Sequence, residues 1–324
     1  MTRKTVILYN RLAPTLRARL DEHFHVLDFS DTPNLPRDPA FRAALEDAHG
    51  VLGASVPLGR AELAHARNLE AISSVSVGVD KYDRDYLVER GIMLCHTPDV
   101  LTETTADTAF LLMLAAARRA VELAMRVRNG EWTASVGEAD FGVDVHGKRL
   151  GIVGMGRIGA AIGRRARFGF NMDVAYHNRS RHAAVEDELG AEWRTLDDLL
   201  DWADFVCVTV PLAEATRGLF GAAEFQRMGP ETIFINISRG GVVDEPALIA
   251  ALENHTIRAA GLDVFTTEPL PGDSPLARLA NVVALPHIGS ATHETRHAMA
   301  ALAVDNLIEA LAGREPPARY SMAD

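Results

Sequence analysis

Short apolar runs alternate with polar and amphipathic segments through the first hundred residues. The apolar runs have the length of buried strands, and the segments between them carry helical periodicity. The predicted strands are Val6–Tyr9, His25–Phe29, Val51–Ala54, Ile72–Val77 and Ile92–Cys95. The predicted helices are Leu12–Glu22, Phe41–Ala48, Arg60–His65 and Asp83–Glu89. This alternation predicts a parallel sheet that is covered by helices on both faces.

A second series of the same kind begins at Lys148. Its predicted strands are Leu150–Val153, Val174–Tyr176, Phe205–Val210, Ile233–Ile237, Ala259–Leu262 and Val282–Ala284. This is the strand count of a doubly wound dinucleotide-binding domain. A chain of 324 residues is also long for a single core. We therefore expect an α/β protein with two doubly wound parallel-sheet domains.

Two longer helices are predicted outside these strands. The first runs from about Thr102 to Asn129, with Thr102 as its N-cap and Gly130 as its stop. Its small and apolar face fits either close packing between domains or subunits or an ordinary core helix within one domain. The second runs from about Thr292 to Leu311 and is expected to return to the first domain. Ala318–Asp324 is expected to be a loose tail.

The overall charge and the cysteine positions exclude several classes of function. A net charge of −11 disfavours a nucleic-acid partner, because binding a phosphate backbone needs a basic surface. Cys95 and Cys207 each lie in an apolar run, which indicates buried thiols in a reducing compartment. The N-terminal apolar run is too short for a signal peptide, and the longest run, Ala109–Ala117, falls short of the ~20 residues of a membrane span. We expect a cytoplasmic protein without membrane contact.

A glycine-rich loop joins the first strand of the second series to a helix. It reads Gly154-Met155-Gly156-Arg157-Ile158-Gly159. In this context the first glycine makes a tight turn, the second lets the backbone approach a pyrophosphate, and the third lets helix and strand pack closely. The phosphates would lie at the helix N-terminus. The loop could be an ordinary strand-to-helix turn, but its position between a strand and a helix predicts a bound dinucleotide.

The next strand ends without the acid that normally holds the ribose 2′-hydroxyl of NAD. It continues instead as His177-Asn178-Arg179-Ser180-Arg181. Arginine side chains at this place suit a 2′-phosphate, and the hydroxyl of Ser180 could add a donor. The alternative is a solvated surface loop. The segment predicts NADP(H) as the cofactor.

Three segments with charged or titratable residues follow the last three predicted strands at their carboxyl ends, where open α/β sheets hold ligands. Arg239 can bind the carboxylate of a 2-oxo acid with its planar fork and polarise the adjacent carbonyl. His287 can donate a proton as a hydride arrives, and Glu268, if it pairs with His287, would favour the imidazolium. Asp263 could hold the nicotinamide carboxamide. Each residue also has an ordinary structural interpretation, but together they predict hydride transfer to a 2-oxo acid.

The segment His293-Glu294-Thr295-Arg296-His297 matches a zinc-protease pattern. Two histidines four residues apart on a helix could ligate zinc, with the glutamate as a base. No third ligand is evident in the sequence. We therefore expect no metal site.

These motifs resemble the D-isomer-specific 2-hydroxyacid dehydrogenase family, and the resemblance covers nearly the whole chain. The segments that carry it are Gly154–Gly159, Asn236–Glu245, Gly261–Pro269 and Pro286–Thr292. It implies a Rossmann-type NAD(P)-binding domain, residues 102–288, inserted in a flavodoxin-like substrate domain formed by residues 1–101 and 289–324. It also implies that Arg239, Glu268 and His287 are the catalytic residues.

The resemblance further implies how the ligands are held. The substrate is expected to contact Val77, Gly78 and Arg239, with backbone N–H groups of the first two residues on its carboxylate. The cofactor is expected to contact Gly154, Met155, Gly156, Arg157, Ile158, Gly159, Asn178, Arg179, Ser180, Val210, Pro211, Thr216, Ile237, Ser238, Asp263 and Gly289. Similar members of the family prefer NADPH and form homodimers. His177 stands where NAD-preferring members carry an acid, which leaves weaker use of NAD(H) open.

The expected activity is NADPH-dependent reduction of 2-oxo acids to D-2-hydroxy acids. Glyoxylate, hydroxypyruvate and 2-keto-D-gluconate are candidate substrates, and the sequence does not choose among them. A 3-phosphoglycerate dehydrogenase is an alternative within the same fold, although the chain has no room for an added regulatory domain. A dinucleotide-sensing corepressor is a non-enzymatic alternative, which the set of Arg239, Glu268 and His287 disfavours.

Overall fold

The chain forms two compact units in the computed structural model, which describes residues 3–321. Residues 3–101 together with residues 292–321 form the first unit, and residues 102–291 form the second. The second boundary lies beyond the expected residue 288. The physical reason is that the backbone N–H groups of Ile288 and Gly289 donate hydrogen bonds to Asp263 in the second unit.

Strands and helices alternate along both units. The strands are β1 (Thr5–Leu8), β2 (His25–Asp28), β3 (Gly50–Gly53), β4 (Ala71–Ser74), β5 (Met93–Cys95), β6 (Arg149–Val153), β7 (Asp173–His177), β8 (Glu192–Trp193), β9 (Phe205–Val208), β10 (Ile233–Asn236), β11 (Ala259–Leu262) and β12 (Val282–Ala284). The α-helices are α1 (Pro14–His23), α2 (Pro39–Asp47), α3 (Arg60–Leu63), α4 (Arg84–Arg90), α5 (Thr102–Ala117), α6 (Ala120–Arg128), α7 (Arg157–Arg164), α8 (Ala183–Leu189), α9 (Leu196–Trp202), α10 (Ala222–Met228), α11 (Glu245–Glu253) and α12 (His293–Leu311).

The first unit contains a five-stranded parallel sheet in the order β2-β1-β3-β4-β5. This is the flavodoxin-like order, so the predicted fold class is confirmed for this unit. Helix α12 packs on β3, β4 and β5 and thus returns to the first unit as expected. A buried hydrogen bond fixes this packing, since the hydroxyl of Ser73 donates to the carbonyl of Ala303 at 2.7 Å.

The second unit contains a seven-stranded parallel sheet in the order β12-β11-β10-β9-β6-β7-β8. Counted from its own first strand, this is the Rossmann order 3-2-1-4-5-6 with one more strand at the edge. The order reverses between β6 and β9, which is where such sheets bind ligands. The apolar pattern does not predict β8, because two residues are too few to show a period.

The single long helix predicted from Thr102 to Asn129 is wrong, since the segment forms two helices. Arg119 interrupts it with a left-handed backbone (φ 53°), and its guanidinium pairs with Glu122 at 2.6 and 2.8 Å. Helix α5 is largely buried against α7, β10 and β11, so its small apolar face packs within the second unit. Helix α6 has no buried residue.

The loose tail predicted from Ala318 is wrong for its first residues. The N–H of Ala318 donates to the side chain of the buried Asn306, and the N–H of Tyr320 donates to the carbonyl of Leu94, both at 2.8 Å. These contacts hold the segment against the edge strand β5. The remainder of the predicted tail, residues 322–324, lies outside the described residues.

Both cysteines are buried and free of disulfide bonds. Burial raises the pKa of the Cys95 thiol and of the Cys207 thiol to about 12, so both stay protonated near neutral pH. Across residues 3–321, no helix combines the length and the apolar character that a membrane crossing needs.

Candidate active site

The glycine-rich loop after β6 has the geometry of a phosphate-binding turn. Gly154 adopts a φ of 107°, which residues with a side chain rarely reach. Gly156 is the N-cap of α7, and a Cβ built there would meet no atom within 4 Å. Its backbone therefore faces open space at the positive end of α7, which is what the approach of a pyrophosphate requires.

The other two glycines of the motif lie where the chain is crowded. A Cβ on Gly159 would overlap the carbonyl oxygen of Gly154 and would lie 3.2 Å from Ile152 Cγ2, so only glycine lets α7 pack this closely on the sheet. A Cβ on Gly154 would lie 2.8 Å from the backbone nitrogen of Val210. The loop is thus adjacent to the segment after β9, across the point where the strand order reverses.

One side chain, that of Thr216, makes hydrogen bonds within the segment that follows β9. The hydroxyl of Thr216 donates to the carbonyl of Pro211 at 2.6 Å and accepts the N–H of Ala213 at 2.9 Å. Thr216 therefore shapes this segment from within, and Pro211 is exposed at its start. A direct contact of either residue with the cofactor stays a prediction.

Asn178 connects the end of β7 to the glycine-rich loop. Its Oδ1 accepts the N–H of Met155 at 2.9 Å, and its carbonyl accepts the indole N–H of Trp193 at 3.0 Å. The side chain of Asn178 thus links the two segments that are predicted to bind the cofactor.

The arginines that follow Asn178 differ in their surroundings. Arg181 forms a bidentate ion pair with Glu186, with Nη2 2.6 Å from Oε2 and Nε 3.0 Å from Oε1. Arg179 and Ser180 are exposed, and within residues 3–321 Arg179 makes no hydrogen bond or ion pair. An exposed guanidinium near the phosphate-binding turn fits a 2′-phosphate, which leaves Arg179 as the better candidate of the two.

Arg239 lies in a turn that a buried asparagine organises. Asn236 is 1% exposed; its Nδ2 donates to the carbonyl of Arg239 at 3.1 Å. Its Oδ1 accepts the N–H of Ser238 at 3.0 Å and the hydroxyl of Ser238 at 2.8 Å. The half-buried Arg239 donates from Nη1 to the carbonyl of Ser238 at 2.7 Å. Asn236 belongs to the sequence motif that begins at this residue and includes Arg239, but the sequence does not indicate that its side chain organises the turn.

Gly240 brings the Arg239 turn against the segment that follows β11. A Cβ on Gly240 would overlap the backbone of Phe265 and Thr266, so any other residue would push the two segments apart. The pattern of apolar residues gives no sign of this close approach. It matters because the second segment carries Glu268.

Glu268 and His287 form a hydrogen-bonded pair. Nδ1 of His287 lies 2.8 Å from Oε2 of Glu268, whose Oε1 accepts the N–H of Phe265 at 3.0 Å. Burial alone would raise the pKa of Glu268, but the hydrogen bonds from His287 and Phe265 and the charges of His287 and Arg239 hold it below its usual value. The structure thus brings together the three residues that the sequence proposes for catalysis.

Asp263 supports the segment that carries the histidine. It is 1% exposed, and its two oxygens accept the N–H of Ile288 at 2.7 Å and the N–H of Gly289 at 2.8 Å. Burial raises the pKa of the Asp263 carboxyl, against the effect of these two hydrogen bonds. His287 itself has a left-handed backbone with a φ of 54°. The carboxyl has lone pairs left for a carboxamide, so the predicted nicotinamide contact stays a prediction.

In the first unit, the predicted substrate-binding residues Val77 and Gly78 follow β4. The N–H of Gly78 donates to the hydroxyl of Ser76 at 3.2 Å. The carbonyl of Val77 accepts a hydrogen bond from Nδ1 of the buried His96 at 3.1 Å, so Nδ1 carries the proton. His96 orients the peptide group that joins Val77 to Gly78, and hence the N–H of Gly78. No sequence motif marks His96, although it directly follows β5.

Helix α12 carries the two histidines of the zinc-protease pattern, His293 and His297, and both are exposed. Throughout residues 3–321, no group of three or more His, Cys, Asp or Glu side chains is arranged to hold a metal ion.

Comparison with known proteins gives a consistent result. The model of the family described as D-isomer specific 2-hydroxyacid dehydrogenase, NAD binding domain, matches residues 110–289. The chain is 57% identical over 312 residues to glyoxylate/hydroxypyruvate reductase B of Salmonella schwarzengrund (strain CVM19633), covering 96% of this chain and 95% of that protein.

Two solved structures share the fold over their whole length. One is the NADPH-dependent glyoxylate/hydroxypyruvate reductase of Sinorhizobium meliloti in complex with NADP and malonate (32% identity, TM-score 0.88, 99% of this chain and 97% of that chain). The other is a glyoxylate reductase from Paecilomyes thermophila (29% identity, TM-score 0.90, 100% of both chains). The motifs, the two sheet orders and these similarities agree, and the chain belongs to the D-isomer specific 2-hydroxyacid dehydrogenase family.

Proposed function

We propose that this protein is an NADPH-dependent reductase that converts glyoxylate, hydroxypyruvate or 2-keto-D-gluconate into the D-2-hydroxy acid. The observation that carries the proposal is the 2.8 Å contact between His287 and Glu268. A histidine held by a carboxylate, with an arginine charge acting on the same carboxylate, is the arrangement that protonates a carbonyl oxygen next to a bound carboxylate.

The role of His287 follows from which nitrogen is engaged. Nδ1 is hydrogen-bonded to Glu268, so Nε2 is the atom that can give a proton to the carbonyl oxygen of the substrate. The side chain of His287 is 47% exposed, which lets it regain that proton from solvent after each turnover. Glu268 fixes the orientation of the ring through this hydrogen bond. Arg239 binds the substrate carboxylate with its fork.

The cofactor site is proposed for the second unit. The open backbone at Gly156 and the N-terminus of α7 suit the pyrophosphate, and the exposed Arg179 suits the 2′-phosphate of NADPH. Bound NADPH supplies the hydride that reduces the 2-oxo carbon. The Sinorhizobium meliloti relative, solved with NADP, supports this choice of cofactor. Weaker use of NADH is part of the proposal.

The substrate proposal draws on the relatives and on the first unit. Glyoxylate and hydroxypyruvate appear in the names of the Salmonella and Sinorhizobium relatives, whereas 2-keto-D-gluconate is carried by the sequence resemblance alone. Val77 and Gly78 are proposed to hold the substrate carboxylate through backbone N–H groups. Since the N–H of Gly78 donates to Ser76 Oγ, that hydroxyl must turn aside when a carboxylate binds.

Kinetics with the purified protein test the proposal. Each of the three acids is offered with NADPH and, separately, with NADH, and nucleotide oxidation is followed. We expect turnover of at least one acid and a higher kcat/KM with NADPH. Absence of turnover with all three acids and both nucleotides would refute the enzymatic function, and preference for NADH would refute the cofactor choice.

We further propose that a second copy of this chain covers a set of exposed apolar side chains in and after α5 and α6. They are Leu111, Leu114, Val121, Met125, Val127, Trp132, Val136 and Phe141. Several large apolar side chains left exposed within one stretch of the chain are typical of a subunit interface. Sedimentation should show a dimer that Met125→Glu weakens, whereas Val88→Glu, at an exposed valine of the first unit, should not. A monomeric wild-type protein would contradict this proposal.

A cytoplasmic setting is also proposed, and the two buried unpaired thiols support it. Fractionation of the producing cell, with enzymes of known compartments as markers, tests the location. Recovery outside the cytoplasmic fraction would contradict it.

A further inference from the structure

An ion pair that the proposed function does not use joins the loop between β7 and α8 to helix α8. Arg181 and Glu186 are joined by two contacts, 2.6 Å between Nη2 and Oε2 and 3.0 Å between Nε and Oε1. Such a bidentate pair fixes the direction of the guanidinium. Arg179, two positions earlier, has no such partner among residues 3–321.

The ion pair is anchored to the end of β7 by a buried tyrosine. The hydroxyl of Tyr176 donates to Oε1 of Glu186 at 2.6 Å and accepts the N–H of His182 at 2.7 Å. The ring of Tyr176 is completely buried, so this anchor does not move with the loop surface. The hydrogen bonds from Arg181 and Tyr176 lower the pKa of Glu186 to about 2, and the carboxylate is ionised at every functional pH.

We propose that Glu186 is a specificity-determining residue that holds Arg181 away from the 2′-phosphate of NADPH, while Arg181 neutralises Glu186. The inference rests on the proposed function, because it takes NADPH as the cofactor. A bare carboxylate at this strand end would repel a 2′-phosphate, and a released guanidinium would attract it. The paired side chains neither repel nor attract the 2′-phosphate. Arg179 alone therefore produces the preference for NADPH, and NADH remains a usable cofactor.

The first test removes the charge that pairs with Arg181. Glu186→Gln keeps an oxygen that can accept from Tyr176 but removes the charge that binds Arg181. The ratio of kcat/KM with NADPH to kcat/KM with NADH should rise about three- to tenfold, the effect of one surface charge within a Debye length of the phosphate.

Glu188→Gln is the matched control, because Glu188 lies on the same helix and pairs in two contacts with another arginine, Arg164. The ratio of kcat/KM with NADPH to kcat/KM with NADH in Glu188→Gln should equal that of the wild type. An unchanged ratio in Glu186→Gln, or an equal rise in both variants, would overturn the proposal.

The second test removes the arginine and leaves the Tyr176 contact intact, which keeps the proposal testable if Glu186→Gln folds poorly. Arg181→Ala leaves the charge of Glu186 unbalanced, and the ratio should fall. In the double variant Arg181→Ala/Glu186→Gln the ratio should return to the wild-type value. Equal falls in the single and the double variant would show that Arg181 binds the phosphate itself, which contradicts the proposal.

Arg179→Ala separates this inference from the proposed function. One outcome is that Arg179→Ala removes the NADPH preference while Glu186→Gln leaves it unchanged. In that case the proposed role of Glu186 is wrong, and the proposed cofactor site is supported. If Arg179→Ala changes nothing and the wild type prefers NADH, the 2′-phosphate site itself is wrong. Thermal unfolding of every variant confirms that the folded protein is compared.

Discussion

The strand ends proposed for catalysis and the loop after β7 lie in the same unit but are built differently. At the strand ends, buried groups support the charged side chains: Asn236 organises the Arg239 turn, and Asp263 holds the segment after His287. In the loop, Arg179 is exposed and makes no ion pair with any described residue. With the proposed roles, turnover would depend on a pre-arranged site held by buried groups, whereas the choice of cofactor would depend on exposed charges. Substitutions in the two regions should therefore change different kinetic constants.

The largest effect is expected at His287. His287→Ala removes the proposed proton donor, and kcat should fall about 10²–10⁴-fold, the usual contribution of a general acid. The Michaelis constant for NADPH should stay near its wild-type value, because among residues 3–321 no hydrogen bond joins His287 to the loop after β7. Steady-state kinetics measure both constants. His293→Ala, at an exposed histidine at the start of α12, serves as control. A His287→Ala enzyme with wild-type kcat would contradict the proposed role of His287.

The next largest effect is expected at Arg179. It should appear in the Michaelis constant for NADPH and not in kcat. Arg179→Ala should raise the Michaelis constant for NADPH about tenfold or more, since a hydrogen bond to a charged group is worth ~1.5–3 kcal/mol. The constant for NADH and the kcat should change little. Arg164→Ala controls for the loss of a surface arginine in the same unit. Equal effects on both nucleotides would show that Arg179 does not contact the 2′-phosphate.

A smaller effect, visible in the pH profile, is expected at Glu268. Its pKa is lowered, so in the folded protein the carboxylate stays ionised as the pH falls through the ordinary range of a glutamate, and proton donation is supported there. Glu268→Gln is neutral at every pH and has no such titration. The ratio of wild-type to variant kcat/KM should therefore stay constant as the pH falls through the ordinary range of a glutamate, and should decline only below that range. A decline within that range would contradict the lowered pKa of Glu268.

The smallest effect is expected in the first unit, at His96. His96→Leu removes the donor to the Val77 carbonyl, and the Michaelis constant for the 2-oxo acid should rise about three- to tenfold, as the loss of a hydrogen bond worth ~1 kcal/mol implies. His96→Asn supplies an amide N–H at the position of Nδ1 and should restore most of the affinity. A purely structural role would instead lower the melting temperature equally in both variants and leave this constant unchanged.

The fold could be predicted because strand periodicity and strand count are local signals. The catalytic strand ends could be proposed together because the carboxyl ends of parallel strands meet at one edge of a sheet. Other features depend on contacts that no local pattern encodes. Arg119 breaks a helix whose apolar pattern continues past it, and Ala318 is held by the distant Asn306. The partner of Arg181 is a glutamate of the following helix, which the sequence does not distinguish from its neighbour Glu188.

The left-handed backbone of His287 has a consequence for how this enzyme can evolve. For a residue with a Cβ this conformation costs about 1–2 kcal/mol, and only glycine and, in part, asparagine adopt it readily. Selection for a robust fold alone would therefore replace the imidazole. A protein of this sequence is kept slightly less stable than its architecture permits, and inactive relatives freed from catalysis should drift toward glycine or asparagine at this position.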